Sequence, residues 1–135
     1  SVLSRLMDKL IAEGKMDKAK IIINLSLTKM PVEKFGYYSM VEPFAKGYYQ
    51  IGEKEKAQQL LEKLIGKYNE NLNYYGTLSQ SDQVDLAIDI ITEIERYRSL
   101  LHVMKENGDL QLYNKSRPVF NTYIKMFEHF GRDRE

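Results

Sequence analysis

A chain of 135 residues, 43% hydrophobic and 29% charged, has the size and composition of one ordinary globular domain, long enough to bury a core without covalent staples. Twenty Lys and Arg against nineteen Asp and Glu leave a formal net charge of +1, and charge so evenly mixed gives no long-range grip on a phosphate backbone or an anionic lipid surface. With no cysteine, disulfides, thiolate metal sites and Cys nucleophiles are excluded together, while the redox compartment stays open.

The longest purely aliphatic run is residues 21–23, far short of the roughly 20 apolar residues a membrane-spanning helix needs. Ser1 begins almost directly on helical pattern with no charged segment leading an apolar run, so the chain is expected to be a fragment of a longer protein.

Residues 2–13 form the first expected helix, with Leu3, Leu6, Met7 and Leu10 at helical spacing and Gly14 as its stop. Asp17 caps a second helix carrying Ala19, Ile23 and Ser26, which ends at Pro31. The link 31–38 is longer than the turn inside the hairpin and so separates repeats. Ser39-x-x-Glu42 has capping-box spacing for a third helix, with Pro43 in or just after its first turn and Val41, Phe44, Ala45 and Tyr48 on one face. After Gly52, Ala57, Leu61, Leu64, Tyr68, Leu72 and Tyr75 trace a fourth helix that runs past Gly66 to Gly76.

Ser79 or Ser81 starts a fifth helix, the longest, whose apolar positions Val84, Ala87, Ile88, Ile91, Ile94, Tyr97, Leu101 and Met104 hold phase to Asn107-Gly108. Asp109 caps a sixth segment that Pro118 should break or restart, with Ser116 as the second cap and Phe120, Tyr123, Ile124 and Phe127 as the buried face. The tail 131–135 is expected to be disordered. No stretch alternates with period two over a strand's length. The expected fold is therefore all-α: about six helices with a long fifth, arranged as tandem antiparallel hairpins in a single domain over 1–135. Its repeat-like units are 1–31, 39–76 and a degenerate third at 81–130.

The two hairpin turns align as Gly14-x-x-Asp17-Lys18-Ala19 and Gly52-x-x-Glu55-Lys56-Ala57, and the small Ala45 and Ala57 let the helix backbones approach closely. This spacing resembles the tetratricopeptide repeat, a pair of helices of about 34 residues stacked into a right-handed array. The matching positions are Leu3, Leu6, Met7, Leu10, Ala19, Ile23, Ser26 and Pro31, then Val41, Phe44, Ala45, Tyr48, Ala57, Leu61 and Leu64, with Asn69 in place of the second proline. The interval from Gly14 to Gly52 exceeds the repeat length, so the link carries an insertion. In the third unit Tyr97, Leu100, Leu101 and Met104 fit the first helix, but Tyr113 and Arg117 stand where small and apolar residues belong.

A second likeness runs through Met30-Pro31, Tyr37-Tyr38-Ser39, Ala45-Lys46-Gly47-Tyr48-Tyr49, Gly52-Glu53, Lys56-Ala57 and Leu72-Asn73-Tyr74-Tyr75. This order resembles the C-terminal soluble region of an uncharacterised bacterial family of multi-spanning membrane proteins, similar to lipid-linked-sugar glycosyltransferases and protein O-mannosyltransferases. The resemblance implies an extracytoplasmic, periplasmic tail whose membrane-embedded catalytic part is absent. No catalytic residue carries over.

Chemistry-bearing constellations are sparse. His102 and His129 are in different helices and in neither His-x-x-x-His nor Glu-x-x-His spacing, so they do not suggest a metal site. Asp82, Asp85, Asp89 and Glu93 recur at three- and four-residue steps, which fits a solvated face opposite the isoleucine stripe, or a cation or basic partner nearby. No Gly-x-Ser-x-Gly elbow or phosphate cradle is present, so no catalytic residue, metal or cofactor is assigned. What remains is a surface. In the tetratricopeptide arrangement the first helix of each pair lines a groove, here through Asp8, Ile11, Glu42, Lys46, Tyr49, Arg98 and His102. Tyrosine flanked by opposite charges suits a protein or peptide segment, including the membrane part of the same chain, better than a small apolar ligand, and the even charge argues against a nucleic acid. Phe35, Tyr37, Tyr38, Tyr74 and Tyr75 form a second aromatic candidate, which as stacking platforms would suit a sugar. The expected function is a non-catalytic interaction domain. The alternative is an accessory domain of a membrane glycosyltransferase that contacts sugar or acceptor.

Overall fold

The computed structural model describes residues 2–29 and 38–132, with 38, 39, 131 and 132 described by backbone alone. All regular structure in the described residues is helical: α1 (Val2–Ala12), α2 (Met16–Lys29), α3 (Tyr38–Gln50), α4 (Lys54–Gly76), α5 (Gln80–Asp85), α6 (Ala87–Glu106), α7 (Leu110–Met126) and α8 (His129–Arg132). The expected link 31–38 lies almost wholly outside the described residues, as do 133–135 of the tail.

One hydrogen-bonded turn closes three helix pairs. Gly14, Gly52 and Gly108 have φ of 75°, 81° and 73°, a left-handed backbone that glycine adopts without a Cβ penalty. In each, the next residue's N–H reaches back to a carbonyl near the helix end: Lys15 to Leu10 at 2.8 Å, Glu53 to Tyr48 at 2.8 Å and Asp109 to Met104 at 2.9 Å. The glycine N–H donates to Ile11, Tyr49 or Lys105 at 3.0–3.1 Å. This is the Schellman cap, which satisfies carbonyls the helix leaves unpaired.

The chain divides into two compact units, Ser1–Leu64 and Ile65–Glu135, with the boundary inside the continuous helix α4. The core of the first holds Met7, Ala19, Ile23, Val41, Phe44, Ala45, Ala57, Leu61 and Leu64, none more than 1% exposed. Gly47 belongs to the same core, since a Cβ built there would stand 2.4 Å from Met7 Sδ and 3.1 Å from Ile23 Cδ1. Two polar links tie this unit together: Lys20 Nζ to Glu53 at 2.6 Å, and Tyr48 Oη donating to Asn24 Oδ1 at 2.8 Å. Buried Ser26 satisfies its hydroxyl on the Ile22 carbonyl at 2.7 Å.

The second unit has an aromatic centre. Tyr97 packs its ring 5.2 Å from Phe120, 6.0 Å from Tyr68 and 6.2 Å from Tyr123, tilted geometries that add about 0.5–1.5 kcal/mol per pair to the area they bury. Tyr123 Oη donates to Asn73 Oδ1 at 3.1 Å. Asp109 is 1% exposed and caps α7 by accepting from Leu112 N at 3.2 Å.

Several expectations are corrected. The long fifth helix is broken at Leu86, whose φ of −103° and ψ of 16° leave the helical region, so it becomes α5 and α6. Val84 and Ile88, expected in the core, are 53% and 82% exposed, whereas Gln83, Ile90 and Glu93 are buried. The cause is non-local: Gln83 Nε2 donates to the Tyr75 and Leu78 carbonyls at 3.0 and 3.3 Å, docking α5 onto the end of α4 where carbonyls lack helical partners. Glu93 leaves the acidic row and accepts from Asn71 Nδ2 at 3.3 Å. Pro118 does not interrupt α7, because it and Asn114, whose carbonyl it leaves unpaired, are both exposed to water. Ser116 is therefore a buried mid-helix residue and not a cap. Ser39 is already helical and Asp17 lies in the first turn of α2, each slightly inside the helix it was expected to cap.

Candidate functional site

The residues expected to line a groove fall into both units. Asp8 and Lys46 are exposed and Ile11, Glu42 and Tyr49 half-buried, on the neighbouring helices α1 and α3 of the first unit. None of these five lines the cavities described below. Arg98 and His102 belong to the second unit, and here a site is built around them.

Helix α6 places Arg98, Leu101, His102 and Lys105 at three- and four-residue steps, and α7 does the same with Tyr113, Arg117, Phe120 and Asn121. The Gly108 turn folds the two helices back on each other, and these eight side chains line an open cavity of about 340 Å³. Leu101 and Phe120, 6% and 4% exposed, are its apolar floor. Phe120 leans in turn on Tyr97, so the floor is continuous with the aromatic centre of the unit.

The rim is cationic. Arg98 holds its guanidinium 5.2 Å from the Phe120 ring centre, and Lys105 and Arg117 stand 5.7 and 6.0 Å from that of Tyr113. A cation over an aromatic face gains about 0.5–1 kcal/mol at an exposed site, so each ring narrows the range of its cation. Among the described residues no carboxylate lines the cavity. Two flank it: Glu95 pairs with Arg98 Nε at 3.5 Å, and Glu106 with His102 Nε2 at 3.0 Å. These pairs are more than half exposed, where ion pairs are worth little. Together the groups can hold an anionic partner that also presents something apolar to the floor.

No known family, curated protein or solved structure matches this chain. The geometry therefore carries the functional argument by itself.

Lys105, Tyr113, Arg117 and Asn121 were not among the expected groove residues. Their signal was present: Tyr113 and Arg117 are the residues that fail the repeat pattern, and both face the cavity because they do not pack into the hairpin.

A second cavity, of about 250 Å³, belongs to the first unit and is lined by Leu27, Tyr48, Lys56, Gln59, Leu60 and Lys63. In the aromatic candidate, Phe35 and Tyr37 and the Tyr38 side chain lie outside the described residues; Tyr74 is 60% exposed, with its ring 5.8 Å from that of half-buried Tyr75. The histidines stand apart in function: His102 faces the cavity beside Glu106, while His129 sits against Phe130 at 4.6 Å. Among the described residues no three His, Cys, Asp or Glu side chains are grouped so as to hold a metal ion.

Proposed function

We propose that this chain is a non-catalytic helical-repeat module that docks a protein or peptide segment. The observation that carries the reading is the α6–α7 cavity, an apolar floor under cations steadied on aromatic rings. Aromatic residues and arginine dominate the energetics of protein interfaces because they combine large contact area with directed polar groups. The repeated Schellman turn supports the modular part of the reading, since it builds helix pairs from one local device.

A peptide array probed with the wild-type protein and with the Tyr113→Ala, Arg117→Glu double variant tests it. Spots lost in the variant support the proposal, and an unchanged pattern rejects docking at this cavity. The same array with Tyr49→Ala and Lys46→Glu together tests the α1–α3 surface separately.

The context follows from the resemblance alone: the module is the extracytoplasmic tail of a multi-spanning, glycosyltransferase-like bacterial membrane protein. No helix among the described residues is long and apolar enough to cross a membrane. DNA upstream of the Ser1 codon decides it, since an open frame with many apolar spans supports the parentage and a start codon next door ends it. A second functional reading, direct contact with sugar or acceptor, is favoured by exposed Tyr74 beside Tyr75. Oligosaccharide titration that leaves the amide signals near Tyr49 and Tyr75 unmoved counts against it.

A further inference from the structure

We infer that the segment taken by the α6–α7 cavity is an acidic one, in which an apolar side chain lies between carboxylates; this rests on the docking reading above. The floor and the rim ask for different things. Leu101 and Phe120 leave a small apolar patch exposed at the floor, enough to seat one hydrophobic group between the helices, so the charge of the rim carries most of the preference. Arg98, Lys105 and Arg117 stand around that floor and reward negative charge on either side of the inserted group.

Carboxylates are already the partners of this rim. Glu95 and Glu106 hold Arg98 and His102 from positions outside the cavity, in exposed pairs that an incoming carboxylate can displace at small cost. A nucleic acid is a poorer fit, since it needs cations along an extended track and the chain's net charge is only +1. Lys105 from α6 and Arg117 from α7 both lean on one ring, Tyr113, so the rim is partly ordered before anything binds and less entropy is lost on docking.

The probe is a short fluorescent peptide alternating Glu and Leu, titrated into the whole chain and followed by anisotropy. It is compared with its Gln-for-Glu counterpart and with one carrying phosphoserine in place of Glu. The acidic peptide should bind at least about tenfold tighter than the Gln peptide at low salt, with the gap closing as salt screens the rim. Arg98→Glu with Arg117→Glu should remove that preference, and Glu95→Gln should strengthen binding by freeing Arg98, a gain that misfolding cannot imitate. Equal binding of the Gln peptide overturns the acidic inference; if Tyr113→Ala still weakens that binding, docking at the cavity survives. Loss of all peptide binding sensitivity to Tyr113 and Arg117 overturns both. Tenfold preference for phosphoserine would assign the site to phosphopeptides and overturn the carboxylate claim. Self-association abolished by Ile88→Ser would do the same by making the occupant a second copy, whose exposed Ile88 is flanked by Asp85 and Asp89.

Discussion

Replacing Gly47 by alanine adds one methyl group at the point where α3 meets the core of the first unit. The new Cβ would lie 2.4 Å from Met7 Sδ and 3.1 Å from Ile23 Cδ1, against ordinary contacts of roughly 3.5–4 Å. Met7 and Ile23 are 1% and 0% exposed, so neither can swing into solvent. Overpacking of this kind costs about 1–3 kcal/mol, and the better helix propensity of alanine returns about 1 kcal/mol, so Gly47→Ala should destabilise by about 1 kcal/mol. Gly66 is the control: it too is inside a helix, with nothing within 4 Å of its would-be Cβ, and Gly66→Ala should stabilise by about 1 kcal/mol. Urea unfolding followed by circular dichroism, at constant slope, measures both. Truncating the obstacle should reverse the sign, so that Gly47→Ala becomes stabilising in a Met7→Ala background. Additivity of the two substitutions, or a stabilising Gly47→Ala in the wild-type chain, would refute the packing argument.

Asp109→Ala should cost about 0.5–2 kcal/mol through loss of the α7 cap to Leu112, while Asp109→Asn keeps most of it, both read by urea midpoint. The hydrogen bond from Lys20, followed by its charge, holds the Glu53 carboxyl below the usual range, so their pair stabilises above the ordinary carboxylate pKa and the benefit is lost as pH falls through the lowered value. The midpoint gap between wild type and Lys20→Met should therefore shrink from pH 7 toward pH 3, and a constant gap would contradict the linkage. Burial first, then the neighbouring Tyr123, pushes the Tyr97 hydroxyl up to about 12; Asn69 beside it offsets part of the rise, though neither Tyr97 Oη nor Asn69 Oδ1 makes a hydrogen bond. The neutral ring is favoured in the folded state, so this stability is intact below pH 10 and is lost toward pH 12; Tyr97→Phe should blunt alkaline unfolding in that window.

Local chemistry was the most legible part of the chain. Gly14, Gly52 and Gly108 mark their turns because a Schellman cap is written in neighbouring residues, and the buried faces of α3 and α4 follow from spacing alone. The buried face of α5 and α6 differs from the expected one because the fifth helix is not straight but breaks at Leu86. Val84 and Ile88 continue an unbroken helical stripe, but Gln83 bonds to the Tyr75 carbonyl in the last turn of α4 and to the Leu78 carbonyl just beyond it, and no local pattern announces that. Pro118 departs from expectation for a similar reason: whether a proline stops a helix depends on the surroundings of the carbonyl it orphans, and here both Pro118 and Asn114 are exposed. At the site, Arg98 and His102 were legible from their place on the first helix of the pair. Tyr113 and Arg117 were legible only as misfits.

Those misfits have a geometric origin that can be tested. In the first hairpin Ala19 and Ile23 are buried, whereas in the α6–α7 hairpin the buried residues Leu112 and Ser116 stand one position nearer the glycine. One residue is about 100° of helix rotation, so over its first turns α7 presents a different face to its partner, with Ser116 in the buried small-residue role, before Phe120 regains the offset that buried Ser26 has in the first hairpin. The positions that Ala19 and Ile23 occupy in the first hairpin are thereby turned outward in the third, and there Tyr113 and Arg117 line the cavity. Ala19→Tyr should consequently cost about 3 kcal/mol or more by overpacking a site with no exposure, while Tyr113→Ala should cost at most about 1–2 kcal/mol, the worth of its two cation contacts, and impair docking. A Tyr113→Ala midpoint loss as large as that of Ala19→Tyr would mean that Tyr113 belongs to the core, and the rotated hairpin would no longer explain the site.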